Sequence, residues 1–504
     1  MKPRPAVIAV SRIAAYRILL TSVGLLLCAC AASIQSRGAT GFSFIETTID
    51  DIHNAIKDQT IDCEGITTGF LDRISKYDQS SSLNSIILIN PNAIEKARAL
   101  DRKYQKTKTL RSLHCVPIIL KDNFDTADMP TEAGSIALSG SIPPDDAYMV
   151  KQLRQADAIV IAKSNMGEWA FSPFNTISST HGETRNAYDL NRVPAGSSGG
   201  TASAIAANFG VIGMGSDTGN SIRGPASHLA LVGIRSTIGA TSRDGIVPLL
   251  SNRDVGGPLM RTVRDSAKVF NVIAGIDPAD PATEIYRNHK VEDYTANLSI
   301  NGLSGARLGV SRQIYDANTA DKQVLAVFNK ALTDLELAGA VIVDPVTIPD
   351  FEELVKATGF CGRFRYDINN YLKTLRKDTK VKSLQDVVEQ EKFRPENSGA
   401  MKWAMNVGAD VKPDEQNPPC IDVAGDPRRQ ALLNAVVATM DSLKLDALVY
   451  PSWSNPPRKI GDSESPHGNN SPVIAPHSGQ PAITVPMGGC LLYTSPSPRD
   501  RSAY

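Results

Sequence analysis

The stretch that decides the fold is an apolar run followed by a small polar loop, Val211-Ile212-Gly213-Met214-Gly215-Ser216-Asp217-Thr218-Gly219-Asn220-Ser221-Ile222-Arg223. The run at 211–214 predicts a buried strand, and α/β proteins place their sites in loops at the ends of such strands. Ser221 has neighbours that tolerate unusual backbone angles, as an oxyanion-binding turn requires. A tight turn without chemistry has the same pattern, so this loop alone leaves both interpretations open.

An earlier loop leads into a helix of small residues, Ala195-Gly196-Ser197-Ser198-Gly199-Gly200-Thr201-Ala202-Ser203-Ala204. Small residues let a helix N-terminus approach another backbone, and its free N–H groups favour negative charge. The run 196–200 also matches the Gly-x-Ser-x-Gly turn of α/β-hydrolases, which would make Ser198 a nucleophile. That turn needs an apolar strand before it, and 191–195 is a poor strand. A serine- and glycine-rich loop without function is the third interpretation.

A lysine ends the apolar run at 116–120 and is followed by Asp122 and Asn123. Most lysines are solvated surface charges. A buried lysine loses its proton more easily and can then act as a base. Because Lys121 stands at the end of a predicted buried strand, it is a candidate for that role.

Helical and strand-like patterns alternate along the chain, which predicts an α/β fold. Helical periodicity covers 49–77 and 93–104. Short apolar runs predict buried strands at 116–120, 159–161, 211–214, 229–234, 308–310, 341–343, 445–450 and 482–485. The more polar segment 373–416 is expected to be a surface insertion of helices and loops.

The composition is that of a globular protein with no general affinity for a polyanion. The chain has 504 residues, 42% of them apolar, with 53 basic and 53 acidic side chains. This excludes disordered, collagen-like and disulfide-scaffold classes. Zero net charge predicts no nucleic-acid partner. No metal-ligand spacing, phosphate loop or nucleotide fingerprint stands out, so neither a metal nor a cofactor is expected.

The N-terminus has the order of a secretory signal: basic residues, an apolar run and then small residues. The apolar run at 18–27 is shorter than the ~20 residues that span a bilayer. We interpret 1–32 as a signal peptide followed by a linker at 33–41. The alternative is a lipoprotein signal with Cys30 as the lipidated residue, which would be the only attachment to a membrane. Either predicts a secreted, periplasmic or cell-envelope protein.

Four further cysteines would lie in an oxidising compartment: Cys63, Cys115, Cys361 and Cys420. Four cysteines allow three pairings, and the sequence does not choose among them. Free buried thiols are an equally good interpretation.

The strand ending in Lys-Asp, the Gly-Ser-Ser-Gly-Gly loop and the Asp-Thr-Gly-Asn-Ser-Ile-Arg loop together resemble the amidase signature family. The spacing agrees as well, since Ser221 lies 24 positions after Ser197. Similar stretches extend the resemblance from about residue 42 to 488: 83–86, 162–169, 184–186, 257–263 and 479–488. The resemblance implies one amidase domain, 42–489, with a central mixed β-sheet covered by helices on both faces.

The resemblance also implies the chemistry, hydrolysis of a linear carboxamide through a serine acyl-enzyme. It makes Ser221 the nucleophile, Ser197 the bridging serine and Lys121 the base. An unassisted serine is a weak nucleophile, and Ser197 can pass its proton to a neutral lysine. The family's peptide bond at the bridging serine is cis. Supporting roles fall to Ser198, Asp217 and Arg223.

The implied oxyanion hole consists of the backbone N–H groups of Thr218, Gly219, Asn220 and Ser221. Here the sequence departs from the family, which usually has glycine where this chain has Asn220. Asparagine accepts a positive φ readily, so the turn remains feasible. We interpret the change as one of substrate specificity.

Three other functions compete. An α/β-hydrolase-type esterase would use Ser198 with an acid and a histidine, for which the chain offers His228, His289, His467 and His477. The second competitor is a catalytically weak amide-binding relative. The third, the family's transamidation subunit, works with cytoplasmic partners and is disfavoured by the predicted export.

The substrate and the C-terminus complete the predictions. Family members act on small carboxamides, peptide amides, aryl amides and fatty amides, so a small-molecule amide is expected. The segment 490–504 resembles a translated sequencing adapter, and proline and serine in alternation fit neither strand nor helix. We therefore expect the domain to be truncated after about residue 489 and to expose a sheet edge.

Overall fold

A computed structural model describes residues 41–288 and 293–488. The predicted signal peptide, Cys30, His289 and the segment 490–504 lie outside the described residues. Twelve strands occur in the described part, numbered β1–β12 in chain order: Ile86–Ile89, Pro117–Lys121, Ile159–Ser164, Ile177–Ser178, Gly182–Glu183, Ile212–Asp217, Val232–Arg235, Val255–Met260, Arg307–Val310, Val341–Val343, Ala447–Val449 and Ala482–Thr484.

Fourteen α-helices accompany the strands within the same described residues, numbered α1–α14 in chain order: Ile49–Lys57, Cys63–Tyr77, Ala93–Thr107, Tyr148–Gln155, Gly199–Ala206, Arg223–His228, Val263–Ile273, Lys322–Leu337, Phe351–Ala357, Phe364–Thr374, Leu384–Glu389, Ser398–Met405, Pro427–Leu443 and Ala475–Ser478. None of them is long and apolar enough to cross a membrane.

A seven-stranded mixed sheet forms the centre, in the order β1-β3-β2-β6-β8-β7-β12. Strands β3, β2 and β6 are parallel neighbours, and the remaining pairs are antiparallel. Leu120 of β2 pairs with Met214 of β6. Strands β2 and β6 therefore end on the same side of the sheet, which brings Lys121 close to the loop that begins at Asp217.

Helix α5 packs unusually close to the sheet because its side chains are small. All eight of its residues are buried. A Cβ added to Gly200 would lie 2.2 Å from the carbonyl oxygen of Asn165, and one added to Gly213 of β6 would lie 2.7 Å from Cγ1 of Ile205. Both contacts are too short for a side chain, so glycine is required on each surface. Because Ser197 and Ser198 directly precede α5, this close packing determines how near they lie to the strand ends.

The predicted fold class is confirmed, with three differences in detail. Strands β9, β10 and β11 leave the central sheet and form a separate parallel sheet in the order β10-β9-β11. The single helical stretch expected over 49–77 is two helices, because Asp62 caps the start of the second by accepting from the Gly65 N–H. Strands β1, β4, β5 and β8 were not predicted.

The segment 373–416 is more than a surface insertion. It contains the expected helices, α11 and α12, but they bury a second hydrophobic core together with α10. Ile368 of α10 and Leu384 and Met401 of this segment pack with Ala133 and Trp169, which belong to loops beside the central sheet. The polar composition hid this core, because the apolar positions are few and spread over three short helices.

The four cysteines form two disulfides, Cys63–Cys115 and Cys361–Cys420. Their Cα atoms lie 5.3 and 5.6 Å apart, within the usual range for a disulfide. The first joins α2 to the start of β2. The second joins the loop before α10 to the loop before α13.

Candidate active site

Lys121 and Ser197 form a direct hydrogen bond at the edge of the sheet. Nζ of Lys121 lies 2.8 Å from Oγ of Ser197, and both residues are completely buried. The Gly196–Ser197 peptide bond is cis, as the resemblance implies. The structure thus brings together two of the three residues in the expected relay.

Two residues that sequence reasoning missed complete the surroundings of the lysine. Nζ of Lys121 also lies 2.8 Å from Oγ of Ser216, which in turn accepts from Nδ2 of Asn123 at 2.9 Å. Ser216 is part of the quoted loop and Asn123 is two residues from Lys121. Their places at two adjacent strand ends were the available signal.

The electrostatics of the site favour a lysine that is partly neutral near pH 7. Burial lowers the pKa of Lys121 from 10.5 to about 7, because its charged form loses its hydration. The negative charges of Asp217 and Asp254 oppose this and raise the pKa. The burial effect is larger, so a large fraction of the amine is free to accept a proton at neutral pH.

Ser221 lies in the loop after β6, with an exposed fraction of 5%. Among the hydrogen bonds of the described residues, none is donated by the backbone N–H groups of 218–221 or by the Ser221 hydroxyl. The serine is therefore beside four available donors. Relays of this kind often tighten only when substrate is bound.

Asp217 fixes the shape of this loop from inside. Its carboxylate accepts from the backbone N–H groups of Ile222 and Arg223 at 3.2 and 3.4 Å. It also pairs with the buried guanidinium groups of Arg223 and Arg235, at 3.1 and 2.8 Å. Burial raises the pKa of Asp217, but the two arginine charges outweigh it and lower the pKa to about 2. The carboxylate is therefore ionised at any physiological pH.

Arg223 and Thr218 tie the same loop to its surroundings. Arg223 donates to the carbonyl oxygens of Gly219 and Ser471, both at 2.6 Å. The Thr218 hydroxyl donates to Oδ1 of Asp254 at 2.5 Å. Asp254 and Ser471 had no sequence signal, since nothing in their neighbourhood marks them.

Asn220 occupies the position where the family usually has glycine, and it has a structural use. Its backbone does not adopt a positive φ, so the tolerance expected of asparagine is not needed here. Its side-chain Nδ2 donates to the carbonyl oxygens of Gly196 and Pro173 at 3.2 and 3.3 Å. The side chain therefore ties the Ser221 loop to the Ser197 loop.

Ser198 does not have the partners of an esterase nucleophile. It is completely buried, and its hydroxyl donates to the carbonyl oxygen of Ser216 at 3.2 Å. Among the described histidines, the ring of His228 lies 4.4 Å from that of Trp453, the ring of His467 lies 4.7 Å from that of Phe174, and none forms a hydrogen bond to Ser198. Burial lowers the pKa of His228 to about 3. The geometry is that of a structural residue, whose hydroxyl binds the backbone of Ser216 just before the Ser221 loop.

The described residues contain one group of close metal-ligating side chains: Cys63, His114 and Cys115. Two of its three ligand atoms are the sulfurs of a disulfide. A disulfide sulfur is no thiolate, so this group does not have the donors that a metal ion requires.

The comparison with known families decides the identity. The sequence model of the family described as Amidase matches residues 65–489. The chain belongs to the amidase family. A probable amidase of Arabidopsis thaliana is 31% identical over 487 residues, which cover 94% of this chain and 89% of the relative.

Two further relatives show the range of proteins to which this amidase is similar. The peptide amidase of Stenotrophomonas maltophilia is 33% identical with a TM-score of 0.79, over 89% of this chain and 91% of that one. One subunit of the glutamyl-tRNA(Gln) amidotransferase of Acidothermus cellulolyticus is 38% identical over 314 residues, 62% of this chain and 61% of the relative. The amidase described here is thus an amide-hydrolysing enzyme of mixed α/β fold.

Proposed function

We propose that this amidase cleaves the C–N bond of linear carboxamides through an acyl-enzyme on Ser221, with Ser197 and Lys121 as its proton relay. The observation that carries the proposal is the 2.8 Å hydrogen bond between Lys121 Nζ and Ser197 Oγ in a fully buried setting. A buried amine with a lowered pKa next to a hydroxyl is an arrangement that accepts a proton.

The relay moves one proton in each direction. As Ser221 Oγ attacks the amide carbon, its proton passes to Ser197, and the proton of Ser197 passes to Lys121. The reverse transfer protonates the departing nitrogen, so the C–N bond breaks and the acyl group remains on Ser221. Water then attacks the ester by the same route and releases the carboxylic acid.

The negative charge on the substrate oxygen in each transition state would be stabilised by the N–H groups of 218–221. These donors act without rearrangement, because Asp217 and Arg223 already hold the loop in shape. Asn220 keeps this loop at a fixed distance from the Ser197 loop through its bond to the Gly196 carbonyl.

The proposal is tested by labelling and turnover together. A fluorophosphonate reacts with an activated serine, and we expect peptide mass spectrometry to find the label on Ser221. The matched control is Ser198, which lies one residue from the relay serine. Hydrolysis of a panel of small, peptide, aryl and fatty amides should show ammonia or amine release that the label blocks. Label on Ser198, or full turnover by labelled protein, contradicts the proposal.

Activity is expected to rise with pH around neutrality. Lys121 must be neutral to accept the proton, and burial lowers its pKa to about 7. Below that value the amine is protonated and the relay is blocked, so kcat/KM should rise about tenfold per pH unit and level off above pH ~8. The measurement is kcat/KM from pH 5 to 9 with an amide whose chemistry is rate-limiting. A flat profile over this range contradicts Lys121 as the base.

We also propose that the protein works outside the cytoplasm, as the basic, apolar and small residues of its first 32 positions indicate. The two disulfides support this, because they persist in oxidising compartments. A transamidation role is less well supported, since that relative is matched over 61% of its length. A reporter fused to the native chain that stays in the cytoplasm would contradict the location.

A further inference from the structure

An aromatic ring stands beside the loop of Ser221 and is half-exposed to solvent. Phe360 has an exposed fraction of 45%. A Cβ added to Gly219 would lie 3.4 Å from Cζ of Phe360 and 3.7 Å from Cβ of Pro472. Gly219 is two residues before Ser221 and carries one of the proposed oxyanion donors. The ring is therefore within reach of a group attached to an amide that is bound at Ser221.

The ring rests on a buried cation that fixes its position. The guanidinium carbon of Arg253 lies 4.8 Å from the centroid of the Phe360 ring, and Arg253 is only 1% exposed. The same guanidinium donates to the carbonyl oxygens of Thr358 and Gly359 at 2.7 and 3.0 Å. Arg253 thus fixes the residues that lead into Phe360, and we call the segment 358–360 with its exposed ring the wall of the site.

The wall and the nucleophile loop share one buried support. Arg235 donates to the carbonyl oxygen of Arg253 at 2.7 Å and to the carboxylate of Asp217 at 2.8 Å. Asp217 in turn holds the backbone after Ser221. A displacement of Asp217 or of Arg253 would therefore disturb the same buried arginine, Arg235.

A covalent tether holds the other end of the wall. Cys361 follows Phe360 directly and is bonded to Cys420, which is completely buried. Asn252, beside Arg253, donates to the carbonyl oxygen of Ile421 at 3.1 Å. Arg253 and the disulfide therefore restrain Phe360 from both of its chain neighbours.

We propose that Phe360 contacts the substrate and selects amides that carry an aryl or other large apolar group, and that the Cys361–Cys420 disulfide holds it in that position. The inference rests on the proposed function. An apolar group of a ligand that packs on a half-exposed aromatic ring removes apolar surface from water, which favours binding. Because the ring is held in place, the contact also orients the ligand. A small amide leaves the ring uncovered and gains nothing from it.

The test compares amides that differ only by a phenyl group. The pairs are 3-phenylpropionamide with propionamide, and N-phenethylacetamide with N-ethylacetamide, so that both sides of the scissile bond are covered. Phe360→Ala should lower the ratio of kcat/KM values, phenyl over small, by about tenfold in at least one pair. Phe360→Trp should retain it. The matched control is Tyr77→Ala, which removes another half-exposed ring, on α2. Unchanged ratios in both pairs overturn the inference.

Binding separates failure of this inference from failure of the proposed function. Calorimetry on the Ser221→Ala protein measures the affinity for the same amides without turnover. If the unsubstituted enzyme hydrolyses neither these amides nor any of the wider panel of small, peptide, aryl and fatty amides, the proposed function fails, and the binding preference still decides the role of Phe360. A preference for the phenyl member that disappears when Phe360→Ala is added supports the role. If the preference for the phenyl member is the same with and without Phe360→Ala, or if neither protein has such a preference, the role of Phe360 is overturned.

The tether is tested with the two disulfides of the chain. Replacing Cys361 and Cys420 by serine should lower the phenyl preference in the same direction as Phe360→Ala. Replacing Cys63 and Cys115 by serine is the control and should leave the preference unchanged. A phenyl preference that survives loss of Cys361–Cys420 overturns the tethering role.

Discussion

Ser221→Ala is expected to lower kcat/KM for amide hydrolysis by about six orders of magnitude, to the level of an unassisted active site. The substitution removes the atom that forms the acyl-enzyme and leaves the loop intact, since Asp217 holds the neighbouring backbone through Ile222 and Arg223. Lys121→Met keeps an apolar chain of similar length but removes the amine. It should lower kcat/KM by about 10² to 10⁴-fold, the usual contribution of a general base.

Two controls distinguish this relay from an esterase-type triad. Ser198→Ala should lose much less activity than Ser221→Ala, because the Ser198 hydroxyl bonds only a backbone carbonyl. His467→Ala should leave kcat/KM within a few-fold, since this ring lies beside Phe174. Circular dichroism and thermal melts establish that each variant is folded. Substantial turnover by the Ser221→Ala protein, or its loss in the His467→Ala protein, would overturn the assignment.

Asp217→Asn is expected to produce the largest loss of stability, about 3–5 kcal/mol in the free energy of unfolding. The substitution keeps the shape of the side chain but removes the negative charge between Arg223 and Arg235, both buried. Each arginine would then be a buried charge without its partner, which costs far more than the lost attraction alone. Urea unfolding followed by tryptophan fluorescence measures the change.

The same pairing has a definite pH range. The folded-state pKa of Asp217, about 2, is below its ordinary value of 3.8, so the pairing contributes fully above pH ~4 and is lost as the pH falls through about 2.

The control for Asp217→Asn is Asp334→Asn, which breaks an exposed pair with Lys330 on α8 and should leave the unfolding midpoint unchanged. Equal midpoints for the Asp217→Asn and unsubstituted proteins would refute the structural role.

Much of the fold and site was predictable because apolar runs mark strands and the chemistry follows them. All eight predicted strands exist with small changes at their ends. The small and polar residues after β6 and before α5 marked both loops as candidate sites, and the resemblance to the amidase signature family then assigned Ser221 and Ser197 their roles, which stay predictions. Lys121 was separable from Lys163, which is also buried, only by the motif order, since Lys121 is the last residue of β2 and Lys163 the last but one of β3.

What could not be predicted depends on contacts between distant parts of the chain. Strand β8 contains Gly256, Gly257 and Pro258, which disfavour a strand locally, yet it pairs on both sides within the sheet. Arg235 and Asp254 carry no local signal, because their roles arise only when β7 and β8 meet β6. Pairing of the cysteines likewise required the tertiary structure.

The close packing of α5 on the sheet divides the site into parts with different freedom to vary. Residues such as Gly200 and Gly213 face backbone or branched side chains at distances that exclude even a methyl group, so any substitution there displaces the relay itself. The ring of Phe360 projects partly into solvent, and its replacement requires no rearrangement of the interior. Directed evolution of new substrate preferences should therefore succeed at Phe360. Libraries that randomise Gly200 and Gly213 should return almost only glycine at these two positions.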